Sequence, residues 1–394
     1  MTRGLKRRAV LRSLAAAVAV GVLDGCTDGR VRPDLAVDSE KLTLPRLRAT
    51  PDRITAITVC TRPFRADGPR LDVERVGATT IVHNYGHGGS GWSLSWGSSG
   101  LAADKVLATG VRDVGVIGCG ALGLTSALLL QRAGLRVTIY AKELPPNVRS
   151  SLATGVWTPD SRICFAERAT PEFRERWELM ARRSFQTYQT FLGLPGEPVE
   201  YIDSLFVRDD LVPRPHPERE DDPRPKFAEL QRALLPDLLP NPDSFAPGSH
   251  PFGSRYVRRA PQLMFNLGAY QRMLMTDFLS DGGQLQIREF HSPADLSGLP
   301  QRTLVNATGY GARALFGDES VTPVRGQLAR VVPEPDIHYG LIYHGVAFVP
   351  RRDGLVFQVL GGGDYFGFGD ATTTPDRAEA EHAVSTIAGL FARG

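Results

Sequence analysis

The chain has 394 residues, of which 42% are hydrophobic and 23% are charged, and its formal net charge at pH 7 is +3. This length has room for two or three domains with substantial cores, and the composition is that of an ordinary soluble globular protein. The small net charge, with no basic stripe between aromatic residues, argues against nucleic-acid binding. The four cysteines are Cys26, Cys60, Cys119 and Cys164. They form no C-x-x-C pair, so no metal or redox-pair site is predicted; buried free thiols are expected, and a Cys60–Cys164 disulfide stays open.

Residues 1–27 have the pattern of a signal peptide. Basic Lys6–Arg8 precedes the apolar run Leu14–Leu23, which is too short for a membrane span of roughly 20 residues but typical of a signal sequence. Paired arginines fit a twin-arginine signal, and Leu23–Cys26 resembles a lipoprotein cleavage box, although Asp24 is unusual there. We therefore expect an exported, extracytoplasmic protein that uses the twin-arginine machinery, with Cys26 as a candidate lipid anchor. A disordered basic leader is the alternative. Residues 28–52 are predicted to form a linker.

Residues 53–109 begin with three β-like runs, at 53–59, 71–75 and 79–82, followed by a glycine-rich loop and a helix from about 98 to 108. Four glycines within the six residues from Gly86 to Gly91 form neither helix nor strand cheaply. Because the loop leads into a helix and is flanked by Tyr85, Trp92 and Trp96, it is predicted to contact a ligand. A flexible surface loop is the alternative.

Residues 110–165 contain a strand, a turn, a helix and a second strand. Gly118, Gly120 and Gly123 have G-x-G-x-x-G spacing between the strand 113–117 and the helix 124–130. The first glycine allows a tight turn, the second lets a diphosphate approach the main chain, and the third lets helix and strand pack closely. This pattern predicts a dinucleotide cofactor; a turn without ligand is the alternative. In such units an acidic residue often contacts the ribose about 20 residues after the glycines. Here Lys142 occupies that position, and Glu143 follows one residue later.

The remaining chain predicts alternating helices and strands. The loop 150–159 around Gly155 is predicted to wrap a cofactor. Helices are expected at 170–194, 266–279 and 376–392, and strands at 284–290, 303–309, 324–332, 340–350 and 355–360. Residues 197–258 are expected to hold strands separated by long loops. We divide this part into a mixed segment 166–302, a strand of the cofactor domain in 303–323, a substrate-domain sheet in 324–370 and a C-terminal helix in 371–394.

Several motifs together resemble the D-amino-acid oxidase family of flavoproteins. They are Val116–Gly123, Ala153–Trp157, Asn306–Gly309, Arg325–Gln327, Leu360–Gly362, Arg62–Pro63, Arg70–Glu74 and above all His83–Gly89, which is close to a signature of that family. The resemblance implies an α/β fold: a Rossmann-type FAD-binding domain with a second, antiparallel β-sheet that forms the substrate domain. In the family, the His-Asn-Tyr-Gly segment lies near the C-terminus, whereas here it precedes the glycine turn. The chain therefore resembles a circularly permuted member.

The resemblance also implies roles for individual residues. Arg62 corresponds to the arginine that holds the substrate carboxylate, which suits the bidentate guanidinium fork. Gly89 corresponds to a main-chain contact of the substrate amine, Thr158 stands near the substrate, and Tyr343 matches one of two active-site tyrosines. The second tyrosine falls at Ala347 or Phe348, neither of which has a phenol. Expected FAD contacts are Gly118, Gly120, Ala121, Leu122, Gly123, Lys142, Glu143, Ser150, Ser151, Thr154, Gly155, Val156, Phe290, Thr308, Arg62, Gly88, Gly89, Gly91, Trp92 and Ser93.

The implied activity is FAD-dependent oxidative deamination of D-amino acids by hydride transfer from Cα to flavin N5, with molecular oxygen as the acceptor. The cofactor carries the chemistry and the protein positions the substrate. Two alternatives stay open. One is the same fold acting on glycine, sarcosine or another secondary amine, or passing electrons to another acceptor. The other is a flavin-binding protein of the cell envelope that does not catalyse a reaction.

Overall fold

The computed structural model describes residues 41–210 and 223–392. The predicted signal peptide, including its paired arginines and Cys26, lies outside the described residues, as do residues 28–40 of the predicted linker. None of the described helices combines the length and the apolar character needed to cross a membrane. Cys60, Cys119 and Cys164 are buried free thiols, which confirms the expectation of thiols and leaves no Cys60–Cys164 disulfide.

The described strands form two sheets. The first has the order β2–β3–β10–β4–β5–β9, and its strands from β3 to β9 are parallel. The strands of this sheet are β2 (Val73–Val76), β3 (Thr79–His83), β4 (Asp113–Ile117), β5 (Arg136–Ala141), β9 (Gln284–Ile287) and β10 (Thr303–Asn306). Val114 and Val116 of β4 are fully buried, as expected for a central parallel strand covered on both faces. β10 lies beside β4, which confirms that the late strand returns to the sheet next to the first one.

The second sheet has eight strands in the order β1–β11–β14–β13–β12–β6–β8–β7. Its strands are β1 (Ile54–Arg65), β6 (Val199–Arg208), β7 (Asp243–Phe245), β8 (Tyr256–Phe265), β11 (Val321–Val331), β12 (Tyr339–Tyr343), β13 (Val346–Arg351) and β14 (Gly354–Val359). All neighbouring pairs are antiparallel except β12 and β6. The sheet expected to be antiparallel is therefore mixed, because β12 and β6 run in the same direction.

Helices cover the sheets and position the loops of the site. They are α1 (Gly91–Leu107), α2 (Ala121–Arg132), α3 (Pro171–Gln189), α4 (Gln231–Leu234), α5 (Leu267–Ser280), α6 (Ala312–Leu315) and α7 (Arg377–Ala388). Helix α3 begins where sequence predicts it: Pro171 occupies the first turn and Oγ1 of Thr170 accepts the amide of Phe173, which satisfies a donor without an intrahelical partner. Helix α1 starts at Gly91, seven residues earlier than the pattern predicted, because its first turn grows directly out of the glycine-rich loop.

The segment 53–109 contributes to both sheets. Its first strand, β1, pairs antiparallel with β11 from Ile54 to Arg65, and β3 pairs in parallel with β10. Its helix α1 packs closely on α3: a Cβ atom at Gly97 would come within 2.2 Å of the carbonyl oxygen of Met180. The segment is thus built into the cores of both halves.

Two local expectations are wrong. Residues 340–350 are not one strand, because β12 and β13 are joined by a turn at His344 and Gly345, both with positive φ. Residues 41–52 do not behave as a loose linker: Leu42, Leu47 and Ala49 are buried, and the amide of Leu42 donates to the carbonyl oxygen of Ser249 at 2.8 Å. The polar, proline-containing composition of the segment hid these three apolar anchors.

Candidate active site

A cavity of about 970 Å³ is lined by both glycine-rich segments. Gly118, Gly120 and Ala121 of the β4–α2 turn reach it, and so do Gly88 and Gly89 of the loop before α1. Residues from the eight-stranded sheet complete the wall. The volume is of the size that holds a cofactor or a drug-sized ligand in known proteins. The two segments singled out from sequence therefore face one ligand space.

The β4–α2 turn has the geometry of a diphosphate cradle. Gly118 has φ +108°, and a Cβ atom there would lie 2.6 Å from the carbonyl oxygen of Ala307. A Cβ atom at Gly123 would lie 2.0 Å from the carbonyl oxygen of Gly118, so the third glycine allows the helix to pack on the turn. Helix α2 has no acidic residue in its first turn and no side-chain cap. Its N-terminus is thus a positive dipole end suited to phosphate.

Hydrogen bonds from two of its own amides hold the loop before α1 in place. The N–H of Gly88 donates to the carbonyl oxygen of Pro63 at 2.9 Å, and that of Gly89 donates to the carbonyl oxygen of Ser161 at 2.9 Å. A Cβ atom at Gly88 would lie 1.9 Å from the carbonyl oxygen of Arg162, so only glycine fits. These two amides are consequently occupied by the protein, and ligand donors must come from the next residues.

Those donors lie in the first turn of α1. Ser90 is the N-cap residue but makes no side-chain capping bond, and the first turn has no acidic residue. Gly91, Trp92 and Ser93 line the cavity. An uncapped helix end directed at a cavity stabilises negative charge on a bound group. This is the electrostatic feature expected beside the pyrimidine side of a reduced flavin.

Hydrogen bonds connect this helix end to the neighbouring loops. The amide of Thr158 donates to Oγ of Ser93 at 2.8 Å, and the indole N–H of Trp92 donates to the carbonyl oxygen of Ser150 at 2.8 Å. Oγ of Ser150 in turn accepts the amide of Ala121 at 3.1 Å. The α1 and α2 ends are therefore held together through the loop 150–158.

His87 lies beside the cavity as a buried histidine. It is 1% exposed, its Nε2 lies 2.7 Å from Oγ of Ser98, and its Nδ1 has no partner within the described protein. The hydroxyl of Ser98 donates to Asn84, so Nε2 must carry the proton and Nδ1 the lone pair. Burial lowers the pKa of His87 to about 3. A buried acceptor without a donor is costly, and Nδ1 is itself inaccessible, so this cost falls on the fold.

Arg62 projects from β1 into the cavity. Its Nη1 donates to the carbonyl oxygen of Arg325 at 3.1 Å, and its guanidinium lies over Gly326, where a Cβ atom would come within 2.4 Å of Nη2. Among the described residues, no carboxylate forms an ion pair with Arg62. The fork is thus positioned by the main chain of β11 and retains donors for an incoming carboxylate.

The cavity brings most of the predicted site residues together. Of the predicted set, the residues that line it are Arg62, Gly88, Gly89, Gly91, Trp92, Ser93, Gly118, Gly120, Ala121, Leu122, Lys142, Glu143, Ser150, Thr154, Gly155, Val156, Thr158, Phe290 and Thr308. Lys142 also forms an ion pair with Glu289 at 3.3 Å. Both residues at the end of β5, Lys142 and Glu143, are therefore within reach of a nucleotide.

Three predicted residues do not line the cavity. Gly123 acts in packing, as described above. Ser151 is buried, and its Oγ donates to Oε1 of Gln271 at 2.6 Å. Tyr343 is corrected: its hydroxyl bonds Asp209 at 3.1 Å and accepts from Arg255 at 3.2 Å, because β12 presents Leu341 and Ile342 to the cavity instead. The expected active-site phenol is thus missing from the cavity wall, where Ala347 and Phe348 also lie.

Sequence reasoning missed several polar residues of the cavity. Arg149 and Arg162 line it, as does Gln358 of β14, whose Oε1 accepts the hydroxyl of Thr154. Arg149 donates to Oγ1 of Thr61 at 3.1 Å. Arg162 has φ +49°. No motif marks these positions, because each depends on contacts between distant segments.

Comparison with known proteins agrees with this geometry. Residues 113–393 match the model of the DAO family, described as FAD dependent oxidoreductase. A D-amino-acid oxidase of Rubrobacter xylanophilus is 30% identical over 282 residues, which cover 71% of this chain and 77% of that protein. A D-amino-acid oxidase of Dictyostelium discoideum is 26% identical over 281 residues, covering 71% and 72%. The crystal structure of iminodiacetate oxidase from Chelativorans sp. BNC1 aligns with a TM-score of 0.47 and 17% identity over 71% of this chain and 80% of that one.

The chain therefore belongs to the DAO family of FAD-dependent oxidoreductases. The residues present fit FAD: the Gly118–Gly123 turn cradles a diphosphate without space for side chains, and helices α1 and α2 both begin at the cavity without a bond from an N-cap side chain. Residues 54–112, which supply the loop before α1, precede the part matched by the family model.

Proposed function

We propose that this protein is an oxidase that converts D-amino acids to 2-oxo acids, ammonia and hydrogen peroxide. The observation that carries the proposal is Arg62, whose fork lies in the same cavity as the flavin-binding features and has no carboxylate partner among the described residues. The D-amino-acid oxidase of Rubrobacter xylanophilus, 30% identical over 282 residues, supports the same reaction class.

In this proposal the protein positions the substrate. Arg62 binds the α-carboxylate through two parallel hydrogen bonds, which fix both distance and orientation. The carbonyl oxygen of Gly89 accepts a hydrogen bond from the amine N–H, because the amide of that residue already donates to Ser161. FAD, when bound, would supply the oxidising chemistry, which is hydride acceptance from Cα and reduction of oxygen to peroxide.

A neutral substrate amine needs no proton-abstracting side chain. Its lone pair forms the C=N bond as the hydride leaves, and water then hydrolyses the imine to the 2-oxo acid and ammonia. Ile342, Ala347 and Phe348 provide an apolar wall on the eight-stranded sheet. Such a wall excludes water from the reacting atoms and strengthens the contacts of Arg62.

The proposal is tested by product analysis with the purified FAD-loaded enzyme. Incubation in air with D-amino acids is expected to yield 2-oxo acid, ammonia and hydrogen peroxide in equal amounts, while L-enantiomers yield none. Absence of 2-oxo acid and peroxide with every D-amino acid would contradict the proposal. The variant Arg62→Ala is expected to lower kcat/KM by about 100-fold or more, since a charge-assisted bidentate contact is lost.

A second candidate activity is oxidation of glycine, sarcosine or another secondary amine. The feature that favours it is the cavity wall at Ala347 and Phe348, which lacks the phenol expected near the carboxylate, while Tyr343 is directed elsewhere. Peroxide formation with sarcosine or glycine but with no D-amino acid would establish this alternative. If no amine reduces the flavin, the remaining alternative is a flavin-binding protein that does not catalyse a reaction.

We further propose that the chain is a circularly permuted member of its family. The support is that segment 53–109 is built into both sheets but precedes the family match, which begins at Asp113. In addition, both described ends approach residues 249–252: the amide of Leu42 bonds Ser249, and the rings of Phe391 and Phe252 lie 5.4 Å apart. Chain ends that lie close together make permutation physically inexpensive.

A reverse permutation tests this proposal. The rearranged gene joins residue 392 to residue 42 by a short glycine-serine linker and opens the chain between Gly110 and Arg112, at the exposed connection from α1 to β4. The rearranged protein is expected to fold, bind FAD and turn over substrate like the original order. The proposal would be contradicted if this opening gives insoluble protein while a control opening elsewhere on the surface gives soluble protein.

We also propose that the protein is exported through the twin-arginine machinery and is held outside the cytoplasm. The support is sequence alone: Arg7 and Arg8 precede an apolar run, and Cys26 follows it. Replacement of both arginines by lysine is expected to leave the protein in the cytoplasmic fraction, and Cys26→Ser is expected to release it from membranes. A wild-type protein that fractionates in the cytoplasm with Met1 retained would contradict export.

A further inference from the structure

The cavity holds a second guanidinium close to that of Arg62. The side chain of Arg162 is 12% exposed and lines the same cavity. Burial and the positive charge of Arg62 lower the pKa of Arg162 to about 10, opposed by the charge of Asp364. Two guanidinium charges in one cavity repel each other unless a negatively charged group is bound between them.

The main chain holds Arg162 at this place. The carbonyl oxygen of Ser161 accepts the amide of Gly89 at 2.9 Å and the hydroxyl of Ser90 at 3.1 Å. The carbonyl of Arg162 packs where a side chain at Gly88 would lie, and φ of Arg162 is +49°. A non-glycine residue in this left-handed region is uncommon and is often held there at functional sites. Arg162 is therefore anchored to the loop that contacts the substrate amine in the proposed function.

The protein itself only partly neutralises this charge. Nε of Arg162 donates to the carbonyl oxygen of Asp364 at 2.6 Å, and Nη2 lies 3.8 Å from the Oδ1 of the same residue. The side chain of Asp364 is 60% exposed, so water screens much of its attraction. Asp364 thus orients the guanidinium through Nε and leaves the outer nitrogens for a ligand in the cavity.

We propose that Arg162 binds a second carboxylate and makes this enzyme selective for amino dicarboxylates, with Arg62 holding the α-carboxylate and Arg162 the acidic side chain. This inference rests on the proposed function, because it specifies the substrate of the same site. D-aspartate and D-glutamate carry the required two carboxylates on a primary amine, and iminodiacetate carries them on a secondary amine. A neutral amino acid would leave the outer nitrogens of Arg162 without a carboxylate.

The test compares substrates and variants of the FAD-loaded enzyme. Wild-type kcat/KM is expected to be at least tenfold higher for D-aspartate or D-glutamate than for D-alanine and D-methionine. Arg162→Met is expected to lower kcat/KM for the acidic substrates by about 100-fold, through KM more than kcat, because one side of a buried charge pair is removed. The same variant should not lower kcat/KM for D-alanine, because a neutral side chain makes no ion pair with Arg162. Arg162→Lys should recover part of the acidic preference, because charge returns without the fork.

Arg183→Met is the matched control. Arg183 is exposed on α3 and does not line the cavity, so its replacement should leave both substrate classes unchanged. FAD content is measured for every variant. A loss of FAD affinity in Arg162→Met with unchanged substrate preference would assign Arg162 to the cofactor and overturn the inference.

Binding of a dicarboxylate separates this inference from the proposed function. Malonate titrated into the oxidised enzyme is expected to perturb the flavin spectrum, and Arg162→Met should weaken malonate binding much more than acetate binding. Turnover of neutral D-amino acids with no preference for acidic ones would overturn the inference while the proposed function stands. Failure of every D-amino acid, with malonate binding still dependent on Arg162, would overturn the proposed function and leave the second carboxylate site in place. If iminodiacetate is the one good substrate, the substrate class is a dicarboxylate with a secondary amine.

Discussion

The guanidinium of Arg62 lies against the main chain of Gly326, so closely that a Cβ atom at this position would come within 2.4 Å of Nη2. Gly326 pairs with Cys60 across β1 and β11, and the carbonyl oxygen of the preceding Arg325 accepts from Nη1 at 3.1 Å. The orientation of the Arg62 guanidinium therefore depends on the absence of a side chain at Gly326 on the neighbouring strand.

Gly326→Ala is expected to displace the Arg62 fork without removing it. A displacement of about 1 Å lowers kcat/KM by about 10- to 100-fold, while FAD content stays at the wild-type level. Steady-state kinetics and flavin absorbance measure the two effects. Gly298→Ala is the control, since nothing lies within 4 Å of its added Cβ atom. Equal kinetics for Gly326→Ala and wild type would show that Arg62 does not hold the substrate.

Two glycines of α1 are expected to respond to alanine in opposite directions. At Gly97 an added Cβ atom would meet the carbonyl oxygen of Met180 at 2.2 Å, whereas at Gly100 the nearest atom is Nη1 of Arg183 at 3.8 Å. Gly97→Ala should lower the free energy of unfolding by about 1–3 kcal/mol through overpacking of α1 on α3. Gly100→Ala should raise it by about 0.5–1 kcal/mol through helix propensity. Urea unfolding of both variants checks the prediction, and a loss of stability in both would contradict the described packing.

The buried neutral state of His87 is expected to make stability depend on pH. Burial lowers its pKa from 6.5 to about 3, so below pH 6.5 the unfolded chain binds a proton that the folded chain does not. Its contribution is complete above pH 6.5 and falls by about 1.4 kcal/mol per pH unit as the pH drops toward 3. The difference in unfolding free energy between wild type and His87→Asn should shrink over this window. A difference that stays constant with pH would mean that His87 is charged or exposed.

Tyr343→Phe is expected to leave catalysis nearly unchanged. Its hydroxyl bonds Asp209 and Arg255 and does not line the cavity. The substitution removes two hydrogen bonds whose partners, Asp209 and Arg255, do not line the cavity, so kcat and KM for the preferred substrate should stay within about twofold of wild type. A large rise in KM would restore Tyr343 to the active-site position that the family resemblance implies for it.

The parts that sequence predicted well are those governed by local rules. The spacing of Gly118, Gly120 and Gly123 and the flanking apolar runs predicted the strand, turn and helix that line the cavity, because neighbouring residues determine each. The turn at His344 was missed, since a histidine with positive φ leaves no mark in composition. Arg162 was missed for a different reason: its place depends on Gly88 and Ser161, which meet only through the fold. Contacts between distant segments also bury Leu42 and direct the hydroxyl of Tyr343 away from the cavity.

We propose that the loop before α1 and the β4–α2 turn bind opposite ends of one FAD and present it to an amino acid held by Arg62. Anaerobic titration of the purified protein with D-amino acids, followed by flavin absorbance, tests it most directly. The protein is expected to carry FAD. Its flavin band is expected to bleach with one equivalent of substrate, and oxygen is expected to restore the band. A protein that binds no FAD, or a flavin spectrum unchanged by every D-, L- and N-methyl amino acid, would contradict it.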